Sequence, residues 1–316
     1  MVLNPEGMQH LDPLSEILAL MKPQIHGYGG FMVPGNVDTH FPQYQGITCC
    51  AILVGQCWLV VDGVPEPVLL HAGDCFLLPH GRPFRLATDL PLKKDVPAIF
   101  CARRSMRCKT PEVANEAGYI AGGQFALAGG HPETFLHSLP PIIHIHSESG
   151  RAAMKWSLER IREELRDQLP GGSLMVQQLT YLMLIQVLRL SSTDTAGSGP
   201  SWLSGLSDTH MSVVIASMHK NPGYPWTLRS LAERADMSRS VFAMRFRTTV
   251  GLTPMEYLTC WRMLLAADRL KNSSEGLSAI ARSLSYKSES AFGKAFRRLM
   301  GCSARQYARR KIIELD

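Results

Sequence analysis

In the last third of the chain, apolar positions recur at helical spacing in two blocks that repeat each other. Leu228, Leu231, Ala232 and Ala235 mark one helix; Ser238 is placed to cap the next, on which Phe242, Phe246 and Val250 recur. About fifty residues later the pattern returns as Ile280, Ala281 and Leu284, a cap at Ser288, then Phe292, Phe296 and Leu299. Each block therefore predicts a helix, a tight turn and a second helix. Between them, TPMEYLTCWRMLLAADRLKN predicts one long helix with Thr253 and Pro254 at its start, where a missing N–H costs nothing.

From Ile47 to about Phe125 the texture changes to short strands. ITCCAILV, QCWLVVDG and CFLLP are rich in β-branched and aromatic residues and are punctuated by glycine and proline. From Arg151 to Leu190 helical spacing returns, broken at Pro170, Gly171 and Gly172. Met154, Leu158, Ile161 and Leu165 form an apolar stripe on the first of these helices, against a face of Glu159, Arg162, Glu163, Arg166 and Asp167. The second carries Leu174, Met175, Leu179, Leu182, Met183, Ile185 and Leu188 nearly all round and is expected to be buried. SSTDTAGSGPS then has the composition of a flexible linker. The expected organisation is residues 1–150 as a β-barrel, 151–200 as a helical segment with a linker, and 201–316 as an all-α domain.

Charge sharpens the division. From Leu206 onward, eighteen lysines and arginines face nine acids, a balance of +9 in a chain whose net charge is +6, which leaves −3 for the rest. A basic helical domain is the footprint of phosphate attraction. Composition is otherwise that of an ordinary globular protein, 45% hydrophobic and 19% charged. The apolar run LTYLMLIQVLRL is short for a membrane span and is interrupted by Gln186 and Arg189. The first twenty residues hold Glu6, Asp12 and Glu16 and no secretion pattern. Eight cysteines without a C-x-x-C pair suit reduced thiols in a cytoplasm.

The two helix-turn-helix patterns and the joining helix, from about Leu206 to Arg310, resemble the DNA-binding domain of the AraC/XylS family of bacterial transcription regulators. The family usually has glycine before the tyrosine of the second unit and proline near the end, where this chain has Ser285 and Ala304. The resemblance implies two recognition helices entering successive major-groove faces roughly 34 Å apart. With the phenylalanines inward, Ser240, Ala243, Met244 and Arg247 face outward on the first, and Ser290, Gly293, Lys294 and Arg297 on the second. Those are the family's base-reading faces; Arg239 and Arg298, with Arg309 and Arg310, are expected on phosphates, and Glu289 also falls at the interface.

The segment HAGDCFLLPHGRPFRL resembles the second half of a cupin barrel, whose G-D-x-x-x-x-P-x-G is met by Gly73, Asp74, Pro79 and Gly81. Metal-dependent cupins carry histidines and a glutamate in their first motif and a further histidine in the second. Here Gln45 to Gly63 contains no histidine, and Phe84 stands at the later position. No metal and no cofactor are therefore expected, although His144 and His146 could share a strand face with His40, His80, His131 or His137 nearby. A small organic effector is expected instead, lined by His40, Trp58, Phe76, Arg82, Phe84 and Arg85, with a packed core as the alternative.

The expected protein is multidomain α+β: an N-terminal cupin-like β-barrel with a helical dimerisation segment, then an all-α double helix-turn-helix domain. Its expected function is sequence-specific regulation of transcription, as an activator under effector control, with double-stranded DNA, RNA polymerase, a small-molecule effector and a second copy of itself as partners. One alternative is redox control through Cys49, Cys50, Cys57 and Cys75, although oxidant-responsive relatives have a Cys-Gly pair where this chain has Gly122 and Gly123. Another is a cupin enzyme with a DNA-binding appendage.

Overall fold

The computed structural model describes residues 12–33, 38–90, 95–97, 118–128, 133–193 and 199–309. His131, Arg310 and residues 194–198 of the linker lie outside them. The strands are β1 (Pro23–Val33), β2 (Asp38–Phe41), β3 (Ile47–Val54), β4 (Gln56–Val61), β5 (Val68–His71), β6 (Cys75–Leu78), β7 (Phe84–Ala87), β8 (Asp95–Pro97), β9 (Gly118–Leu127) and β10 (Ile143–Ile145). The helices are α1 (Pro13–Met21), α2 (Glu133–His137), α3 (Glu148–Asp167), α4 (Gly172–Thr193), α5 (Trp202–Ser207), α6 (Thr209–Lys220), α7 (Leu228–Arg234), α8 (Arg239–Val250), α9 (Pro254–Asn272), α10 (Leu277–Ser283), α11 (Glu289–Met300) and α12 (Ala304–Arg309).

These elements form two compact units, a sheet unit of residues 24–126 and 139–198 and a helical unit of residues 1–23, 127–138 and 199–316. The units cut across the boundaries expected at residues 150 and 200. α3 and α4 belong with the strands, while α1 and α2, from the N-terminal half, belong with the helix-turn-helix units. The reason is burial of apolar surface, which ignores chain order. Leu14, Ile17, Leu18 and Met21 of α1 are buried, and α1 packs on α5, α6 and α9. From α2, Phe135 lies edge-on to Trp202 and Tyr257, and its carbonyl accepts the Trp202 indole N–H at 3.0 Å.

A buried polar network sits in this helical core. His219 of α6 is buried, stacked on Trp261 at 3.8 Å, with Nδ1 2.7 Å from a Glu16 carboxylate oxygen and Nε2 2.8 Å from the Tyr257 hydroxyl. Burial lowers its pKa, and Glu16 offsets only part of that. The neutral ring then donates from Nδ1 to Glu16 and accepts from Tyr257, so every member is satisfied.

In the sheet unit the sheets run β1-β9-β3-β6-β10 and β5-β4-β7-β2-β8. Their facing sides hold Phe41, Cys50, Ile52, Leu59, Phe76, Phe84 and Ile120 in one apolar cluster. On the other side of the first sheet, Ala121 and Leu53 meet Ile161, Leu165 and Leu179 from α3 and α4. α4 is long and apolar enough, by length and composition, to cross a membrane. Here it packs on α3, β3, β6 and β10 through Val176, Leu179, Met183, Leu184, Val187 and Leu188. Its first turn is not buried as expected: Leu174 and Met175 are exposed, at 59% and 43%.

Candidate nucleic-acid interface

The two helix-turn-helix units are built alike. Thr227 and Ser230 form a reciprocal capping box that opens α7. The chain turns through Asp236 at φ 54°, and Ser238 caps α8 by accepting the Val241 N–H. In the second unit Gly276 supplies no side-chain cap to α10, the turn passes through Ser285 at φ 66° and is one residue longer, and Ser288 caps α11. Met237 N–H donates to the Ala232 carbonyl and Tyr286 N–H to the Ala281 carbonyl, both at 3.0 Å, so the same turn bond closes each unit. Ser285 therefore occupies the left-handed position that suits the family's glycine. Ser285→Gly should raise the stability of the helical unit by about 1 kcal/mol, the cost of holding a side chain there, read as an upward shift of its thermal midpoint. Ala304 in turn opens α12 behind a Ser303–Gln306 capping pair, the position where proline fits without loss.

α8 and α11 are both twelve residues long and share one burial pattern, residue for residue, over their last ten positions. Phe242, Phe246 and Val250 point inward on one, and Phe292, Phe296 and Met300 on the other. Met300 takes the place expected for Leu299, which is only half-buried, because the inward positions step by four. Arg239, Ser240, Met244 and Arg247 are exposed, as are Glu289, Ser290, Lys294, Arg297 and Arg298; Ala243 and Gly293 are half-buried at equivalent positions. Val241, 47% exposed beside Met244 at 63%, was not anticipated. The second helix thus offers Lys294 where the first offers Met244, Ala291 where the first offers Val241, and Arg298 where the first offers Thr248.

Several charges in this unit are spent inside it. Arg245 binds Asp208 at 2.8 Å, and Arg262 donates to the carbonyls of Pro222 at 2.7 Å and Tyr224 at 2.9 Å. Glu289 accepts from the Ser278 hydroxyl and so ties α11 to α10. At the start of α9 the Thr253 N–H and hydroxyl, and then Arg247 and Arg298, hold the Glu256 carboxyl below its usual range. That places cations of α8 and α11 around one acidic cap.

In the sheet unit, the six residues expected to line an effector pocket do not converge. Phe76 and Phe84 are part of the apolar cluster, and Phe84 stacks on Phe41 at 4.3 Å. His40, Trp58 and Arg85 fall on the opposite face of the second sheet, because they alternate with Phe41, Leu59 and Phe84, which point into the cluster. Arg82 is exposed in the turn before β7, where it donates to the Asp62 carbonyl. Of the six, only Phe76 and Phe84 belong to the packed core.

The cupin-like motif instead organises a buried carboxylate. Gly81 is required at φ 59° because a Cβ there would sit 1.6 Å from the Tyr44 carbonyl oxygen. Asp74, 1% exposed, accepts from the His71 N–H at 2.9 Å, Arg151 Nε at 2.7 Å and His144 Nε2 at 3.0 Å. Burial alone would raise its carboxyl, but these donors outweigh it and hold it below the usual range. His144 is lowered by burial against the pull of Asp74, and its neutral ring carries the proton on Nε2, since a carboxylate can only accept. Its ring lies 4.7 Å from that of His146, yet among the described residues no group of three or more His, Cys, Asp or Glu is placed to hold a metal.

Cys49, Cys50, Cys57 and Cys75 are free, fully enclosed thiols, and burial pushes all of them up, Cys57 to about 12. A thiol reacts as its thiolate, which such burial withholds. Cys50 also explains Gly122, its partner across the sheet: a Cβ there would lie 2.6 Å from the Cys50 sulfur.

Comparison with known proteins agrees with this architecture. A family model described as cupin matches residues 12–191, and one described as a helix-turn-helix domain matches residues 231–310. A putative AraC-like transcription regulator of Streptomyces antibioticus is 36% identical over 94% of this chain and 98% of its own length; one of Streptomyces lividans is 34% identical over the same shares. The DNA-binding domain of AdpA, solved in complex with a target DNA, is 29% identical over 33% of this chain and 93% of that one, with a TM-score of 0.32. The chain belongs to the AraC-like transcription regulators, with a cupin-type N-terminal region.

Proposed function

We propose that this regulator binds double-stranded promoter DNA through the outer faces of α8 and α11. What supports the reading is the pairing of two capped twelve-residue helices of matching burial with the exposed cations Arg239, Arg247, Lys294, Arg297 and Arg298. Met244 and Val241 suit contact with thymine methyl groups, whereas Lys294 and Arg297 suit base edges or phosphates. Lys294→Ala should cost about 1 to 3 kcal/mol of operator affinity and relax the preference at one base position. Operator selection from random sequences followed by titration measures both; unchanged affinity and unchanged preference would remove Lys294 from the interface.

In the same reading the protein works in the cytoplasm as an activator that engages RNA polymerase, as a regulator and not as an enzyme. A small effector on the sheet unit sets its activity, and it acts as a homodimer. Leu165 packs inside the sheet unit, so it does not serve to test the dimer. Trp156 of α3 does, being 64% exposed with Leu169 and Leu174 also open to solvent. Wild-type protein should sediment as a dimer at micromolar concentration, and Trp156→Glu should shift it to monomer with its melting temperature unchanged. A monomeric wild type, with and without DNA, is the result that ends the dimer reading.

A further inference from the structure

A cleft of about 340 Å³ opens where α3 crosses the end of β3 and the turn between β5 and β6. Its apolar wall is made by Leu53, Ala152 and Leu158, and its charged wall by Arg151, Lys155 and Arg162 with Glu159. The three cations share one face of α3, being four and seven residues apart in sequence.

Arg151 is held in place from below. Its Nε donates to the buried Asp74 and its stem lies across Gly73, 3.5 to 3.9 Å from where a Cβ would be. That bond leaves the terminal nitrogens of a side chain that is 41% exposed. Lys155 has only a loose partner, Glu159 at 3.9 Å, and Arg162 forms no ion pair among the described residues. Counting both Glu159 and Asp74, cations still exceed carboxylates. The volume is at the small end of the range for ligand pockets, roughly 300 to 1,000 Å³.

We infer that this cleft binds a small amphiphilic monoanion, a carboxylate with an unbranched or aromatic apolar body, with the carboxylate against Arg151, Lys155 and Arg162 and the body on Leu53, Ala152 and Leu158. A neutral apolar molecule would leave the cations uncompensated, and a compact inorganic anion would leave the apolar wall wet. The assignment differs from the six-residue pocket expected from sequence, and it lies on the helix-covered side of the first sheet. Binding stands on the cleft alone; that occupancy alters DNA binding rests on the proposal that an effector on the sheet unit controls the protein.

The test is calorimetric titration of full-length protein with octanoate and with octan-1-ol. Octanoate should bind one per chain, about tenfold tighter than the alcohol. The double substitution Lys155→Ala with Arg162→Ala, at exposed positions, should weaken octanoate about tenfold and leave the alcohol unchanged. Ala152→Phe should weaken both by filling the apolar side. No binding of octanoate at millimolar concentration, or equal binding by the wild type and the double variant, overturns the site. If octanoate binds as expected while operator affinity stays constant, the site stands and effector control through it falls.

Discussion

Raising salt from 50 to 200 mM should lower the operator affinity of the full-length protein about a thousandfold. Each phosphate neutralised by lysine or arginine releases condensed counterions, and log K falls against log salt with a slope of about −0.9 per contact. Arg239, Arg247, Lys294, Arg297, Arg298 and Arg309 are exposed in the DNA-binding helices, so about six contacts give a slope near −5. Arg245 and Arg262 are left out because Asp208 and the carbonyls of Pro222 and Tyr224 hold them. Their positions show why a net charge overstates what the surface offers to DNA. Arg297→Ala should make the slope shallower by about 1, whereas Arg262→Ala should leave it unchanged and lower stability instead. Fluorescence anisotropy across the salt range measures both, and a slope shallower than about −2 for the wild type would mean that these side chains do not meet the backbone of DNA.

Phe135→Ala should destabilise the helical unit by about 3 to 5 kcal/mol, the usual cost of removing a buried aromatic ring and leaving a cavity. In sequence this residue is far from the helix-turn-helix units, yet it is 1% exposed and wedged against Trp202 and Tyr257, within reach of the α5 and α9 cores. The main-chain carbonyl that accepts the Trp202 N–H is retained in the variant, so the loss reads the ring itself. A fragment beginning at Ser201 lacks this ring and the whole of α1, so it should melt far below the full-length protein and bind the operator weakly, although every recognition residue is present. Calorimetry of the variant and the fragment would show it; a fragment as stable as the helical unit of the intact chain would mean that α1 and α2 only rest on that unit.

Helices α8 and α11 were legible in the sequence because their signals are local. Ser238 and Ser288 as caps, phenylalanines four apart and glycines at 251 and 301 fix each helix and its inward face within a dozen residues, and the outward face follows by geometry. Strands β3, β4 and β6 were legible for the same reason, as short β-branched runs between turn residues. Helix α1 carries a local signal too, Asp12 as cap with Pro13 behind it, but nothing nearby says where its apolar face is buried.

What sequence could not assign are the pairings between distant segments. Strand alternation tells that Phe84 and Arg85 face opposite ways, but not which way is inward; that required β2 and β4 to be paired on either side of β7. Asp74 was visible as part of a cupin-like motif, whereas its partners Arg151 and His144, 77 and 70 residues away, are brought to it only by the packing of α3 and β10. Cys49, Cys50, Cys57 and Cys75 read as an alternative sensor in the sequence, whereas the fold buries all four. Sequence by itself determined the helix-turn-helix units, the basic character of their domain and the family. Tertiary structure decided which cations remain exposed, which helices complete the helical unit and where charge and apolar surface meet in a cleft, because burial and ion pairing depend on neighbours that chain order does not supply.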